Sequence, residues 1–446
     1  MSHRAIKFIV QFLVLIAPVF SQASPLQELI DATPVGEKVP VVAGTTYYGH
    51  FEINKTVILD GQGKVTLDGQ NKGTVLTVNA DGVTITGLII INSGHSHDDI
   101  NSAIRLTSSH NKITHNIIYD TLFGIDLKEA HHNLVTHNDI QSKKVDLGLR
   151  GDGIRGWASN NNTFRFNKIH NSRDMVIWYS YDNIIEDNVG KNNRYSLHFM
   201  YTGRMQVRRN KYSHSAVGIF LMYSQSTTIE NNEILFSQGN TGMGIGMKEV
   251  DNMKIYNNKI IYCSTGIYID QSPYKPTTYN LIMGNTVGYN QKGFVFHSSL
   301  SRNVFQGNAV IDNLEDVVVH SNGNAEGNVW KGNYWSHYEG FDRNLDGYGD
   351  GKYSDYLYQD QLWLNDPWVK FFYASPVLSV INFLARLAPF SQPRLLLHDR
   401  KPVFSLDSDV LLSKKNMFFD ISDLTFDVEE DDEDYVEEED GVSNVR

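Results

Sequence analysis

Asparagine closes a short phrase ten times between Asn116 and Asn333, and that recurrence restricts the chain to a repetitive fold. The residues are Asn116, Asn138, Asn167, Asn188, Asn210, Asn232, Asn258, Asn285, Asn308 and Asn333, spaced 21 to 29 residues apart. The phrases share one shape, as in Asn111-Lys-Ile-Thr-His-Asn116 and Asn303-Val-Phe-Gln-Gly-Asn308. A second phrase, Gly-Ile-polar-apolar, precedes many of them: Gly124-Ile-Asp-Leu, Gly218-Ile-Phe-Leu, Gly266-Ile-Tyr-Ile. A period of twenty-odd residues marks a solenoid. Short alternating runs of β-branched residues between Asn, Gly and Ser corners fit a parallel β-helix better than a helical repeat. The leucine-rich framework, which shares the period, is missing. The expected fold is all-β, a right-handed, single-stranded parallel β-helix of coils of about 22 residues with a short C-terminal helical extension.

Alternation along each strand separates an inside from an outside. Two inward columns follow, Ile125, Ile154, Met175, Leu197, Ile219, Ile245, Ile267, Phe294 and Leu127, Ile177, Phe199, Leu221, Met247, Ile269, Phe296. Met175 and Met247 are therefore core residues. The closing asparagines are expected to form a corner ladder, each amide bonding the next coil.

The start of the chain reads as a targeting signal. His3, Arg4 and Lys7 precede an apolar run of 13 residues from Phe8 to Phe20, then Ser21-Gln22-Ala23. The run is shorter than the roughly 20 residues of a membrane span, so residues 1–23 are expected to be a cleaved signal peptide and the protein periplasmic. Cys263 is the only cysteine, which excludes an intrachain disulfide and reads best as a buried, inert thiol. The formal net charge is −12, and 11 carboxylates fall between Asp427 and Asp440 without a basic residue. Such a run repels phosphates and argues against nucleic acid as a partner.

The outward columns carry the chemistry. One reads Lys128, Trp157, Trp178, Met200, Met222, Lys248, Asp270, His297, His320; its neighbour reads Asp126, Arg155, Val176, His198, Phe220, Gly246, Tyr268, Val295. Trp157, Trp178, Met200 and Met222 then form an apolar stripe, which rarely stays bare. A loop or the C-terminal segment could pad it, a partner protein could dock on it through Trp157 and Trp178, or Met200, Met222 and His198 could hold a soft metal such as Cu(I). His95 and His97 share a loop, and His110, His115, His131, His132 and His137 lie near corners, either as exposed corner residues or as a metal-loading patch. Polysaccharide hydrolysis needs two carboxylates across one cleft. The candidate acids Asp126, Asp152, Asp174, Glu249 and Asp270 look scattered, which leaves sugar stacking on Trp157 or Trp178 but no hydrolase or lyase.

Boundaries follow from composition: a cap segment 24–48 with Pro25 opening a helical turn, the repeats 49–335, a loop-rich region 336–373, an apolar helix 374–402 and an acidic tail 403–446. In the loop-rich region Asp342, Asn344, Asp346 and Asp350 match four ligand positions of a calcium loop. Tyr353 stands where the bidentate Glu belongs, so a metal-free Asx-turn loop is the competing reading.

The Asn-Tyr-Trp-Ser-His-Tyr-Glu-Gly-Phe-Asp block from Asn333, the Asp-Gly-Tyr-Gly-Asp block from Asp346, and the apolar segment Ala374–Phe390 together resemble the NosD family. The resemblance covers roughly residues 43–402 and departs beyond Val403. It implies a non-catalytic accessory role in maturation of nitrous oxide reductase, a denitrification enzyme with a copper–sulfur cluster. The implied partners are an ABC transporter (ATPase and permease), a copper-chaperone lipoprotein and the reductase itself, with contact to the membrane only through the transporter. Family profiles group such chains with carbohydrate-binding and sugar-hydrolase (CASH) β-helices, so a secreted carbohydrate-binding or polysaccharide-active protein is the alternative. With a copper client implied, Met200, Met222 and His198 become the expected contacts for Cu(I) in transit. In the apolar segment, Pro376, Leu378, Ile381, Leu384 and Leu387 become the expected helix face for docking on the permease.

Overall fold

The computed structural model describes residues 25–298, 301–320, 323–357, 368, 377, 380 and 394–406. The repeats wind into a parallel β-solenoid of about twelve coils. One 12-stranded sheet runs from Phe51–Ile53 to Glu315–Val319, and the other strands of each coil stack into a 23-stranded sheet. Every ladder between coils is parallel and mostly in register, so each residue lies over its counterpart in the coil before.

Burial follows the alternation. Ile125, Ile154, Met175, Leu197, Ile219, Ile245, Ile267 and Phe294 are all fully buried, as is the whole second inward column from Leu127 to Phe296. Cys263 is buried with its thiol pushed up to about 11 by burial, consistent with an inert core position. At the amino end, the helix Pro25–Ala32 lays Leu26 and Ile30 over the first coil and closes the open core.

The asparagine ladder explains how so many tight corners are tolerated. The residue before each closing asparagine sits in the left-handed region, from His115 (φ 57) and His137 (φ 56) to Arg209 (φ 55), and in the last three coils it is Gly284, Gly307 and Gly332. For a residue with a Cβ this conformation costs roughly 1–2 kcal/mol. The following asparagine offsets it. The side chain of Asn210, fully buried, donates to Asn232 Oδ1 (3.0 Å) and to the Ile185 carbonyl (2.9 Å), and accepts from the backbone N–H of Asn188 (2.9 Å). Each ladder amide donates to the asparagine of the next coil and to a backbone carbonyl of the preceding one, and Asp399 terminates the series. Its carboxylate accepts from Asn333 Nδ2 (2.9 Å), the Asn333 N–H (2.9 Å), the Gly332 N–H (3.0 Å) and Trp335 Nε1 (3.2 Å).

Asp399 arrives on a strand, Arg394–Asp399, paired antiparallel with Tyr353–Leu357. This hairpin covers the last coil with Leu396, Leu397 and Tyr353, whose ring stacks on Trp335 at 4.4 Å. Residues 394–399 thus form a strand where sequence reading extended the apolar helix to residue 402. The open end of the solenoid offers Leu396 and Leu397 burial that an isolated helix lacks. Pro376, Leu378, Ile381, Leu384 and Leu387 lie outside the described residues, as do the signal peptide and the acidic run. The isolated positions Val377 and Val380 are helical and exposed. Among the described residues no helix is long and apolar enough to cross a membrane.

Candidate functional site

The outward face of the 12-stranded sheet carries the expected columns in the expected order. Trp157 pairs with Trp178, Trp178 with Met200, Met200 with Met222 and Met222 with Lys248. Alongside, Arg155, Val176, His198, Phe220 and Gly246 run in the same sequence. Trp157, Trp178, Met200 and Met222 are half-buried, so no described segment pads the stripe completely.

Two thioethers thus stand on adjacent coils, about 4.8 Å apart along the solenoid axis. Beside them the His198 side chain is nearly enclosed, and neither ring nitrogen has a hydrogen-bond partner. Asp174 Oδ2 approaches Nδ1 only to 4.0 Å. Burial, with Arg194 and Arg173 adding to it and Asp174 opposing, holds the imidazole below its ordinary pKa and therefore neutral near pH 7. A neutral imidazole with free nitrogens beside two thioethers is a donor set that suits a soft cation, and its orphaned nitrogens are what an all-protein structure would otherwise satisfy. Phe220 bounds the site: its ring occupies the space a Cβ on Gly246 would take, 2.3 Å from that position, so glycine is required there.

Three of the five acids are not isolated: Asp126, Asp152 and Asp174 are buried. Arg105 and Arg155 hold Asp126 (3.2 and 2.8 Å), Arg173 holds Asp152 (3.0 Å), and Arg194 pairs with Asp174. Sequence reading missed this because Arg173 and Arg194 lie outside the outward columns, in the corner before the strand. Their spacing of 21 residues, in Ser172-Arg173-Asp174 and Asn193-Arg194-Tyr195, was the available signal. Each of these three carboxylates is engaged by a guanidinium.

Asp152 is pushed up to about 6 by burial, with Arg173 pulling the other way and Asp174 adding to the rise. A folded pKa above the unfolded one contributes stability that is complete below about pH 4 and is lost as pH rises through 6. Asp152→Asn removes this dependence. Relative to the variant, the parent is expected to lose roughly 2–3 kcal/mol between pH 4 and pH 7. Urea unfolding across that range checks it, and parallel profiles would contradict it.

The aromatic residues are arranged edge-out. Tyr179, Tyr201 and Tyr223 stack on one another at 5.1 and 4.8 Å, and Arg155 lies 5.6 and 5.9 Å from the ring centres of Trp157 and Trp178. The corner histidines also stack, His110 on His132 (5.1 Å) and His115 on His137 (4.8 Å). Among the described residues no group of three or more His, Cys, Asp or Glu side chains is arranged to hold a metal ion. That applies both to this patch and to the loop of Asp342, Asn344, Asp346 and Asp350. There Asp342 accepts from the Asp346 and Gly347 N–H groups (3.1 and 2.9 Å), Asp346 from Tyr348 (2.9 Å), and Asp350 from Arg343 (3.0 Å), so the loop closes through Asx turns.

A family profile described as "Periplasmic copper-binding protein (NosD)" matches residues 141–340. A "Probable ABC transporter binding protein NosD" from Pseudomonas aeruginosa is 28% identical over 406 residues, covering 82% of this chain and 89% of the relative. Its namesake from Stutzerimonas stutzeri is 26% identical over 433 residues, covering 89% and 93%. Among solved structures, a PL6 alginate lyase complexed with a trisaccharide overlaps 70% of this chain and 82% of its own at 14% identity, with a TM-score of 0.48.

Proposed function

Because the chain belongs to the NosD family, we propose that it is a periplasmic, non-catalytic adaptor that carries Cu(I) in transit for assembly of the copper–sulfur cluster of nitrous oxide reductase. The single observation that carries this reading is His198, enclosed and neutral with both nitrogens unpartnered, beside Met200 and Met222 on successive coils. Thioethers and imidazole hold Cu(I) without a charged ligand, which favours release to a client as much as capture. The half-buried stripe of Trp157 and Trp178 above the methionines is the proposed contact for the chaperone that delivers copper or the enzyme that receives it. The relatives' name, ABC transporter binding protein, supports a transporter as the membrane partner. The apolar run with Pro376, Leu378, Ile381, Leu384 and Leu387 is the segment proposed to reach its permease. Deleting residues 375–393 is then expected to abolish co-purification with the transporter while the far-ultraviolet spectrum of the β-solenoid persists.

The direct test is an anaerobic Cu(I) titration against a competing chelator. Met200→Leu/Met222→Leu keeps the shape and removes both sulfurs, and it is expected to weaken binding at least tenfold. His198→Phe should act in the same direction. Because burial holds the imidazole below its ordinary pKa, affinity should fall less from pH 7.5 to pH 6.5 than it would for a free histidine. Equal affinity in parent and double variant would overturn the assignment and leave a docking scaffold.

A further inference from the structure

The longest step of the repeat, from Asn138 to Asn167, contains an insertion with the sequence Lys143-Lys144-Val-Asp146-Leu-Gly-Leu-Arg150. It joins Asp139–Ser142 of the 23-stranded sheet to Ile154–Trp157 of the 12-stranded sheet and lines an open pocket of 450 Å³. Lys143, Lys144 and Arg150 line it with the amides of Gln141 and Asn171, and Asp146 is its one acid. The loop is built rather than loose. A 3-10 turn at Leu147–Leu149 is closed by Leu149 N–H to Asp146 (2.8 Å), Arg150 Nε donates to the Val145 carbonyl (2.9 Å), and His97 from a different loop reaches the Leu149 carbonyl (3.0 Å).

Lys143 is the informative residue. It is only 3% exposed, its one hydrogen bond goes to the neutral Asn71 Oδ1 (3.0 Å), and the carboxylate that acts on it, Asp120, makes no contact ion pair with it among the described residues. A buried ammonium without a contact ion pair is costly and is normally found paired. Neither Lys144 nor Arg150 has a carboxylate partner there either, so three cationic groups face one preformed space with a single acid among them. The size falls within the range of small-molecule sites, and fork-like guanidinium donors beside ammonium groups match tetrahedral oxyanions.

We propose that this cavity is an anion-binding site for a dianion of the phosphate or sulfate class, with Lys143 as its buried counter-charge and Arg150 and Lys144 closing on it from the loop. The volume leaves room for a small organic group attached to that anion. The site's lining includes none of the proposed copper ligands, and its occupancy does not depend on the copper assignment.

The test uses the full mature chain, with inorganic phosphate, inorganic sulfate and glycerol 3-phosphate as probes in separate calorimetric titrations at constant ionic strength set with chloride. Parent protein is expected to bind phosphate, with Lys143→Met and Arg150→Gln each weakening it at least tenfold and the distant Lys254→Met leaving it unchanged. Glycerol 3-phosphate binding tighter than phosphate would assign the remaining volume to an attached organic group, and weaker binding would assign the site to the free ion. Melting curves supply a second readout. Without the anion Lys143→Met should melt above the parent, since it removes an unpaired buried charge, and saturating phosphate should reverse that order. Equal affinities in all variants, binding matched by chloride, or a melting order that phosphate leaves unchanged would overturn the proposal.

Discussion

Asp399→Ala is expected to remove about 3–5 kcal/mol from the carboxyl-terminal end of the solenoid, the range for breaking a buried charged network by deleting one partner. The carboxylate is fully buried and accepts from Gly332, Asn333 and Trp335 as well as from the Lys401 N–H (3.1 Å). Alanine strands all of these donors at once. In a solenoid each coil touches only its neighbours, so the loss should appear as an early unfolding step at one end and not as a uniform shift. Trp330 and Trp335 are both buried beneath the hairpin and report that step by fluorescence. Hydrogen exchange should open at residues 394–399 and 329–335 first, with the coils around Asn188 still protected. Asp399→Asn retains one acceptor but turns an amide N–H toward existing donors, so it should fall between parent and alanine. A single unshifted transition in the alanine variant would show that the hairpin, and not the carboxylate, secures the end.

Arg194→Leu is expected to cost about 3 kcal/mol at pH 7 and to alter the copper face without touching a proposed ligand. Asp174 is almost fully buried, and the variant leaves its carboxylate with the Tyr195 N–H (3.2 Å) and the distant His198 ring. Its pKa should rise, so the penalty is present at neutral pH and disappears as pH falls and the acid takes up a proton. At the same time His198 loses the repulsion of Arg194 while keeping the attraction of Asp174, so its titration should move upward. A histidine that protonates near neutrality competes with copper, and Cu(I) affinity in this variant should fall as pH drops from 7.5 to 6.5 where the parent's does not. An unchanged His198 titration by NMR would exclude this coupling.

The parallel architecture was legible because one-dimensional repetition writes the same physical requirement many times. A closing asparagine, a left-handed residue before it and an alternating strand recur in coil after coil, so the inward columns and the order Trp157, Trp178, Met200, Met222 follow from register alone. The termination of the ladder was not legible, since Asp399 lies 66 residues beyond Asn333 and nothing in its neighbourhood repeats. The Asp–Arg pairs beside the proposed copper face were obscured for a related reason. Arg173 and Arg194 belong to corners, whose side-chain directions alternation does not predict. His198 was singled out by residue type, but its lack of partners is a property of packing around Tyr195, Phe220 and Asp174 that no spacing encodes.

Because coils stack at about 4.8 Å, the solenoid also behaves as a ruler graduated in whole coils. The strand that bears Met222 is followed by four more on the same sheet, ending at Glu315–Val319, before the hairpin seals the stack. Distance between the methionine pair and anything attached beyond Asp399 is therefore quantised, and a complete coil can be removed or duplicated between them while the asparagine ladder rejoins in register. Such a change would leave each binding surface intact and move one relative to the other by a single graduation, so that hand-over between partners would depend on an integer.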